Sequence, residues 1–178
     1  MREKYVSVDI EASGPIPGKY SMLTIGACLV DADDVTFQAT LKPLNRNAVP
    51  EALQVTGLSL DKLERTGQIP MDAMSLFRDW IAQLAKDGSK PVFVALNAPF
   101  DWSFVNYYFH RFLGENPFGF AALDIKALYM GATGCTWDQT GSSQMAKRLH
   151  PTRSGTHEAL EDALYQAELF RLTRLIGR

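Results

Sequence analysis

The stretch Tyr5-Val6-Ser7-Val8-Asp9-Ile10-Glu11-Ala12-Ser13-Gly14 alternates apolar and polar positions up to a glycine. Strand side chains point to opposite faces in turn, so Val6 and Val8 share one face and Ser7, Asp9 and Glu11 the other. The pattern predicts a first strand that ends in a carboxylate pair. A loop rich in turn formers follows over 15–20, and Met22 to Asp31 reads as a second strand. Ala32-Asp33 is a predicted turn and Val35 to Leu41 a third strand with clean alternation. Short connections between the three imply an antiparallel meander.

The period then changes. Pro50 to Val55 and Ser59 to Arg65 read as short helices closed by Gly57 and Gly67. Met71 to Lys86 carries Met74, Phe77, Trp80, Ile81 and Leu84 on one stripe, as an amphipathic helix does, and stops at Asp87-Gly88. Pro91 to Leu96 is a continuous apolar run, the mark of a strand covered on both faces. A helix should start after Asn97, its predicted N-cap, and reach Leu113, with Pro99 in its first turn. Ala121 to Ile125 suggests a short strand feeding a helix that stops near Gly131. A polar loop, a helix over Gln144–Leu149, a second loop and a closing helix over His157–Ile176 complete the chain. The order predicts an α/β fold: a mixed five-stranded sheet flanked by helices, with the first strand at its centre.

Composition narrows the setting. At 178 residues with 46% hydrophobic positions, the chain is one domain over 1–178 with a full core. No apolar stretch approaches a membrane span, and two cysteines give neither a disulfide framework nor a zinc spacing. A reducing, cytoplasmic setting without a leader segment is the expectation. The net charge of −2 argues against strong non-specific binding to duplex nucleic acid.

Asp9 and Glu11 are close enough to repel, which a divalent cation relieves, and hard oxygen ligands suit Mg²⁺ or Mn²⁺. Two exposed acids at a strand end are the plainer interpretation of that pair alone. Asp101 lies in the first turn of a helix, where it would in any case favour the macrodipole. Asp162 sits among Ala159, Leu160, Ala163 and Leu164, an unusually apolar neighbourhood for a solvated acid. His157 precedes it by five residues, about 140° around a regular helix, so the two converge only if His157 stands outside the helix.

Taken in order, Asp9-x-Glu11, Asn97-Ala-x-Phe100-Asp101 and His157-x-x-x-x-Asp162 resemble the three motifs of the DEDDh 3′→5′ exonucleases. That family includes the proofreading subunit of DNA polymerase III, RNase T and oligoribonuclease. The resemblance spans Val6 to about Leu169 and implies the ribonuclease H-like exonuclease fold. Two departures stand out. Ala12 replaces a hydroxyl residue that the family often carries, and Thr24 stands where an acid often precedes the Ile-Gly pair.

The resemblance implies two Mg²⁺ (or Mn²⁺) held by Asp9, Glu11, Asp101 and Asp162, with His157 as general base. His157 suits that task because an unperturbed imidazole titrates near pH 6.5. It implies a single-stranded nucleic acid 3′ end as partner, with nucleoside 5′-monophosphates as product. Ala12 and Ser13 would meet the terminal hydroxyl through backbone N–H groups, and Leu58 the terminal base. Phe100 and Trp102 would stack or wedge, though alternate helix positions point apart, so core packing is expected for one of them. Arg153, with Lys147 and Arg148, would hold phosphates or form a solvated basic face. A homodimer and a polymerase or other nucleic-acid-processing partner are compatible with the family. The alternative is a catalytically silent nucleic-acid-binding module on the same fold. It would require a missing ligand, and none is missing.

Overall fold

The computed structural model describes residues 2–176. Five strands form one sheet: β1 (Glu3–Ala12), β2 (Met22–Leu29), β3 (Ala32–Thr40), β4 (Lys90–Ala95) and β5 (Ala122–Asp124). Their order is β3-β2-β1-β4-β5. β1 pairs antiparallel with β2 and parallel with β4. The helices are α1 (Pro50–Thr56), α2 (Leu60–Thr66), α3 (Pro70–Leu84), α4 (Ala98–Leu113), α5 (Ile125–Thr133), α6 (Ser142–Leu149) and α7 (Ala159–Thr173). A 3₁₀ turn covers Trp137–Thr140. The mixed sheet with β1 at its centre is the predicted architecture. Among the described residues no helix is long and apolar enough to cross a membrane.

Alternation on β1 divides the core. Val6, Val8 and Ile10 are buried with Phe77 and Ile81 of α3 and Phe104, Tyr108 and Phe109 of α4. The opposite face belongs to α7. There Ser7 donates its hydroxyl to the Ala163 carbonyl at 2.8 Å, deep in the interior. Leu164, Ala167 and Phe170 of α7 form a second cluster with Cys28 and Val94.

α7 lies directly on the sheet at Gly26, the partner of Asp9 in the β1–β2 register. A Cβ at Gly26 would stand 2.2 Å from the Leu160 nitrogen and 2.3 Å from the Ala159 carbonyl carbon. Only glycine permits this approach, and the approach brings the first turn of α7 over the end of β1.

Several boundaries differ from those predicted. The β2–β3 turn falls at Val30-Asp31 rather than Ala32-Asp33. The register shifts at Cys28/Leu29, and the Val30 N–H donates to the Tyr5 carbonyl at 2.9 Å. α5 runs through Gly131 and ends where Gly134 takes the left-handed conformation, φ 69°. The polar loop contains the 3₁₀ turn, closed by a reciprocal cap between Thr136 and Gln139. α7 starts two residues later and ends three earlier than the predicted span.

Asn97 is not a side-chain cap. It adopts φ 65°, ψ 46° and makes no capping hydrogen bond. Asp124 does that work from the end of β5: one carboxylate oxygen accepts from Ala98 N and the other from Ala127 N, each at 2.7 Å. A single residue thus caps both α4 and α5.

Candidate active site

The first acidic element is the end of β1. The β1–β4 ladder stops at Ser7/Val94, and the Ile10 N–H is taken up by Asp101 of α4 at 3.0 Å. Asp101 is 3% exposed, so α4 delivers a buried carboxylate against the strand that carries Asp9 and Glu11.

The second element is the segment before α7. His157 is exposed and left-handed, with φ 61°, and stands outside the helix as convergence demands. Asp162 holds it there. Its two carboxylate oxygens accept from Thr156 N at 2.7 Å and His157 N at 3.0 Å. Glu11, His157 and Asp162 each offer a ligand atom, all within 4.8 Å of one another, and so form a group able to hold a metal ion.

Electrostatics fits a cation. Burial, reinforced by Asp101, Glu11 and Asp162, drives the Asp9 carboxyl well above its ordinary range, while a hydrogen bond from Gln166 works in the opposite direction. Burial and then Asp162 push Glu11 up to about 7. Burial raises Asp101 to about 8, against the lowering effect of backbone donors that include Ile10. The Thr24 hydroxyl, opposite Glu11 in the register, is buried with no partner among the described residues. The neighbouring carboxylates are hard oxygen donors of the kind that suit a divalent cation.

Two cavities adjoin Glu11. A cleft of about 520 Å³ is lined by Glu11, Thr24, Gln38, Leu58, Gln68 and His157 among others. A cup of about 360 Å³ is lined mainly by apolar groups, including Ala12, Pro15, Val49, Val55 and Phe100. Phe100 and Leu58 therefore open onto space beside the acids, while Trp102 packs edge-on against Phe93 at 5.2 Å.

Two predicted contacts are engaged elsewhere. Ser13 is fully buried: its N–H donates to the Ser21 carbonyl at 2.9 Å, and its hydroxyl to Asn47 O at 2.7 Å. Its amide is committed to the fold, which leaves Ala12, on the wall of the cup, as the remaining candidate of the pair. Arg153 pairs with Asp33 at 3.5 Å and Glu161 at 3.7 Å, so reaching a phosphate requires releasing these partners. Lys147 and Arg148 lie exposed in the last turn of α6.

Gln166, absent from the sequence-based set, is the residue that touches Asp9. Its Nε2 donates to Asp9 Oδ1 at 2.5 Å. A signal existed: Gln166 is the polar interruption in the stripe Ala159, Ala163, Phe170, one turn after Asp162.

The chain belongs to the exonuclease family whose model, RNase_T, matches residues 6–170. Among curated proteins it is similar to the 3′-5′ DNA exonuclease Cap18 of Escherichia coli, 55% identical over 171 residues, 96% of this chain and 91% of the relative. Its fold is also that of the nuclease domain of 3′hExo, a DEDDh family member bound to rAMP. The TM-score is 0.74 at 18% identity, covering 96% of this chain and 92% of that one. Exonuclease I of E. coli in complex with a dA16 oligonucleotide gives a TM-score of 0.76 at 15% identity, covering 99% of this chain. The chain spans 42% of Exonuclease I, and 64% of a 3′-exonuclease that recognises the 3′ end of histone mRNA stem-loop.

Proposed function

We propose that the chain is a divalent-metal-dependent 3′→5′ exonuclease that removes nucleoside 5′-monophosphates from single-stranded DNA. The observation that carries this reading is the convergence of Glu11, His157 and Asp162 within 4.8 Å, flanked by Asp9 and the buried Asp101. The name of the 55% identical relative supports DNA as substrate.

Asp9, Glu11, Asp101 and Asp162 would hold two Mg²⁺ or Mn²⁺. Bound metal supplies Lewis-acid stabilisation of the phosphoryl oxygens and acidifies the attacking water. His157 takes the proton of that water at a ring nitrogen. Its left-handed backbone keeps the ring off the helix and beside Glu11 and Asp162. The terminal nucleoside is placed in the apolar cup against Phe100 and Ala12, with Leu58 on the other side of Glu11. The cup adjoins Glu11 at the end of β1, so a strand end seated in it sets its last phosphodiester beside the acids. Arg153 is a secondary phosphate contact.

The test is digestion of 5′-labelled single-stranded DNA and its RNA counterpart, with Mg²⁺ or EDTA, beside Asp9→Asn and His157→Ala. A ladder shortening from the 3′ end, abolished by EDTA and reduced at least about 100-fold in both variants, is expected. Equal inertness of wild type and variants on both strands would favour the silent binding module.

A further inference from the structure

We propose that Gln166 is a positioning residue for the metal site: its carboxamide locks the Asp9 carboxylate with one oxygen anchored and the other presented to the ion. The inference rests on the metal-dependent reading above and assigns a role to a residue outside the acidic motifs.

Gln166 is 5% exposed, on the face of α7 that meets the sheet. A buried carboxamide must have both ends satisfied, and here each end has one partner, on β1 and just past β4. Its Oε1 accepts from Leu96 N at 2.8 Å, just beyond the last residue of β4. That bond fixes the amide's orientation, because a backbone N–H can only donate. Nε2 is therefore directed at Asp9 Oδ1, 2.5 Å away. One side chain ties together the centre of the sheet, the end of the neighbouring strand and the last helix.

The surroundings of Asp9 explain why this matters. Its other charged neighbours are Asp101, Glu11 and Asp162, all acids. Without a donor, the carboxylate would be free to rotate away from them, and that change spoils a ligand. Gln166 supplies a neutral donor, which orients Asp9 without competing for the cation as a Lys or Arg would. Partners of metal ligands commonly act in this way, and their loss weakens metal affinity or activity by about 10- to 100-fold.

The test uses Gln166→Met and Gln166→Leu, which conserve bulk and remove the donor, with Thr173→Val as control. Thr173 is a buried residue on the same helix whose hydroxyl has no partner among the described residues. Mn²⁺ binding is followed by electron paramagnetic resonance of the free ion, exonuclease rates by gel, and folding by melting in EDTA. The half-saturating Mn²⁺ concentration should rise about 10- to 100-fold in both Gln166 variants and stay at the wild-type value in Thr173→Val. At saturating Mn²⁺, kcat and the oligonucleotide KM should return to within about threefold of wild type. Gln166 variants that melt lower yet titrate with Mn²⁺ as wild type does would overturn the proposal and leave the exonuclease reading intact. A wild-type protein that neither binds Mn²⁺ nor needs it for cleavage would overturn both.

Discussion

At the scale of single residues, two burial environments separate chemistry from packing. Asp101 is enclosed, yet its carboxylate has a purpose in the fold because it accepts the Ile10 N–H. Asp101→Leu would orphan that donor and cost about 1–3 kcal/mol in addition to any loss of metal binding, which chemical denaturation in EDTA would reveal. Cys28 is a contrast. Burial, with Asp33 nearby, pushes its thiol up to about 12, with Arg171 and Arg153 in partial opposition. Since the thiolate is the reactive form, native protein at pH 8 should leave Cys28 unmodified by a thiol reagent. Denatured protein should show two reactive thiols, Cys28 and Cys135, in the same assay. The cluster of Asp9, Glu11, Asp101, Asp162 and His157 proposed as the site was legible in sequence because chemistry requires particular residue types at strand ends and helix starts. Gln166 and Asp124 were not, since an amide or a lone acid gains meaning only from partners 157 or 26 residues away.

At the scale of elements, the site depends on how α7 and α4 are seated. Gly26→Ala places a methyl group against the α7 backbone, which cannot yield as a flexible side chain would. Overpacking of this kind costs typically about 1–3 kcal/mol, and the helix must shift. The expected result is a lower melting temperature together with weaker metal binding, since Asp162 and His157 move with α7. Asp124→Ala removes the caps of two helices, at about 0.5–2 kcal/mol for each. Its effect on cleavage should exceed that of a surface substitution, because α4 carries Asp101. Strands and amphipathic helices were legible from periodicity alone. Their ends were not: α5 continues through Gly131 because the left-handed residue that stops it is Gly134, and two nearby glycines look alike in a sequence.

At the scale of the whole molecule, the cluster of acids is a standing electrostatic cost that a cation relieves. Glu11 and Asp101 have folded values of about 7 and 8, above those of an unfolded chain. The folded state therefore binds more protons than the unfolded state through the intervening range. These groups contribute stability that is full at low pH and is lost as pH rises through about 7 to 8. In EDTA, the melting temperature should fall across that window once the contribution of other groups is matched by a Glu11→Gln/Asp101→Asn reference. Mg²⁺ or Mn²⁺ at pH 8 should restore it, by an amount that grows with the logarithm of ion concentration. A melting curve in EDTA that is flat between pH 6 and 8.5 would contradict this account.

The acids of β1 lie near the start of the chain, while Asp162 and Gln166 belong to α7 and His157 to the segment just before it. During synthesis the first strand leaves the ribosome long before α7 does. A nascent chain, or one cut short before residue 157, carries an incomplete donor set. Its unfinished site holds Asp9, Glu11 and Asp101 but lacks Asp162 and the histidine. The site proposed above is therefore completed late in synthesis, when the segment from His157 to Gln166 joins a strand made much earlier.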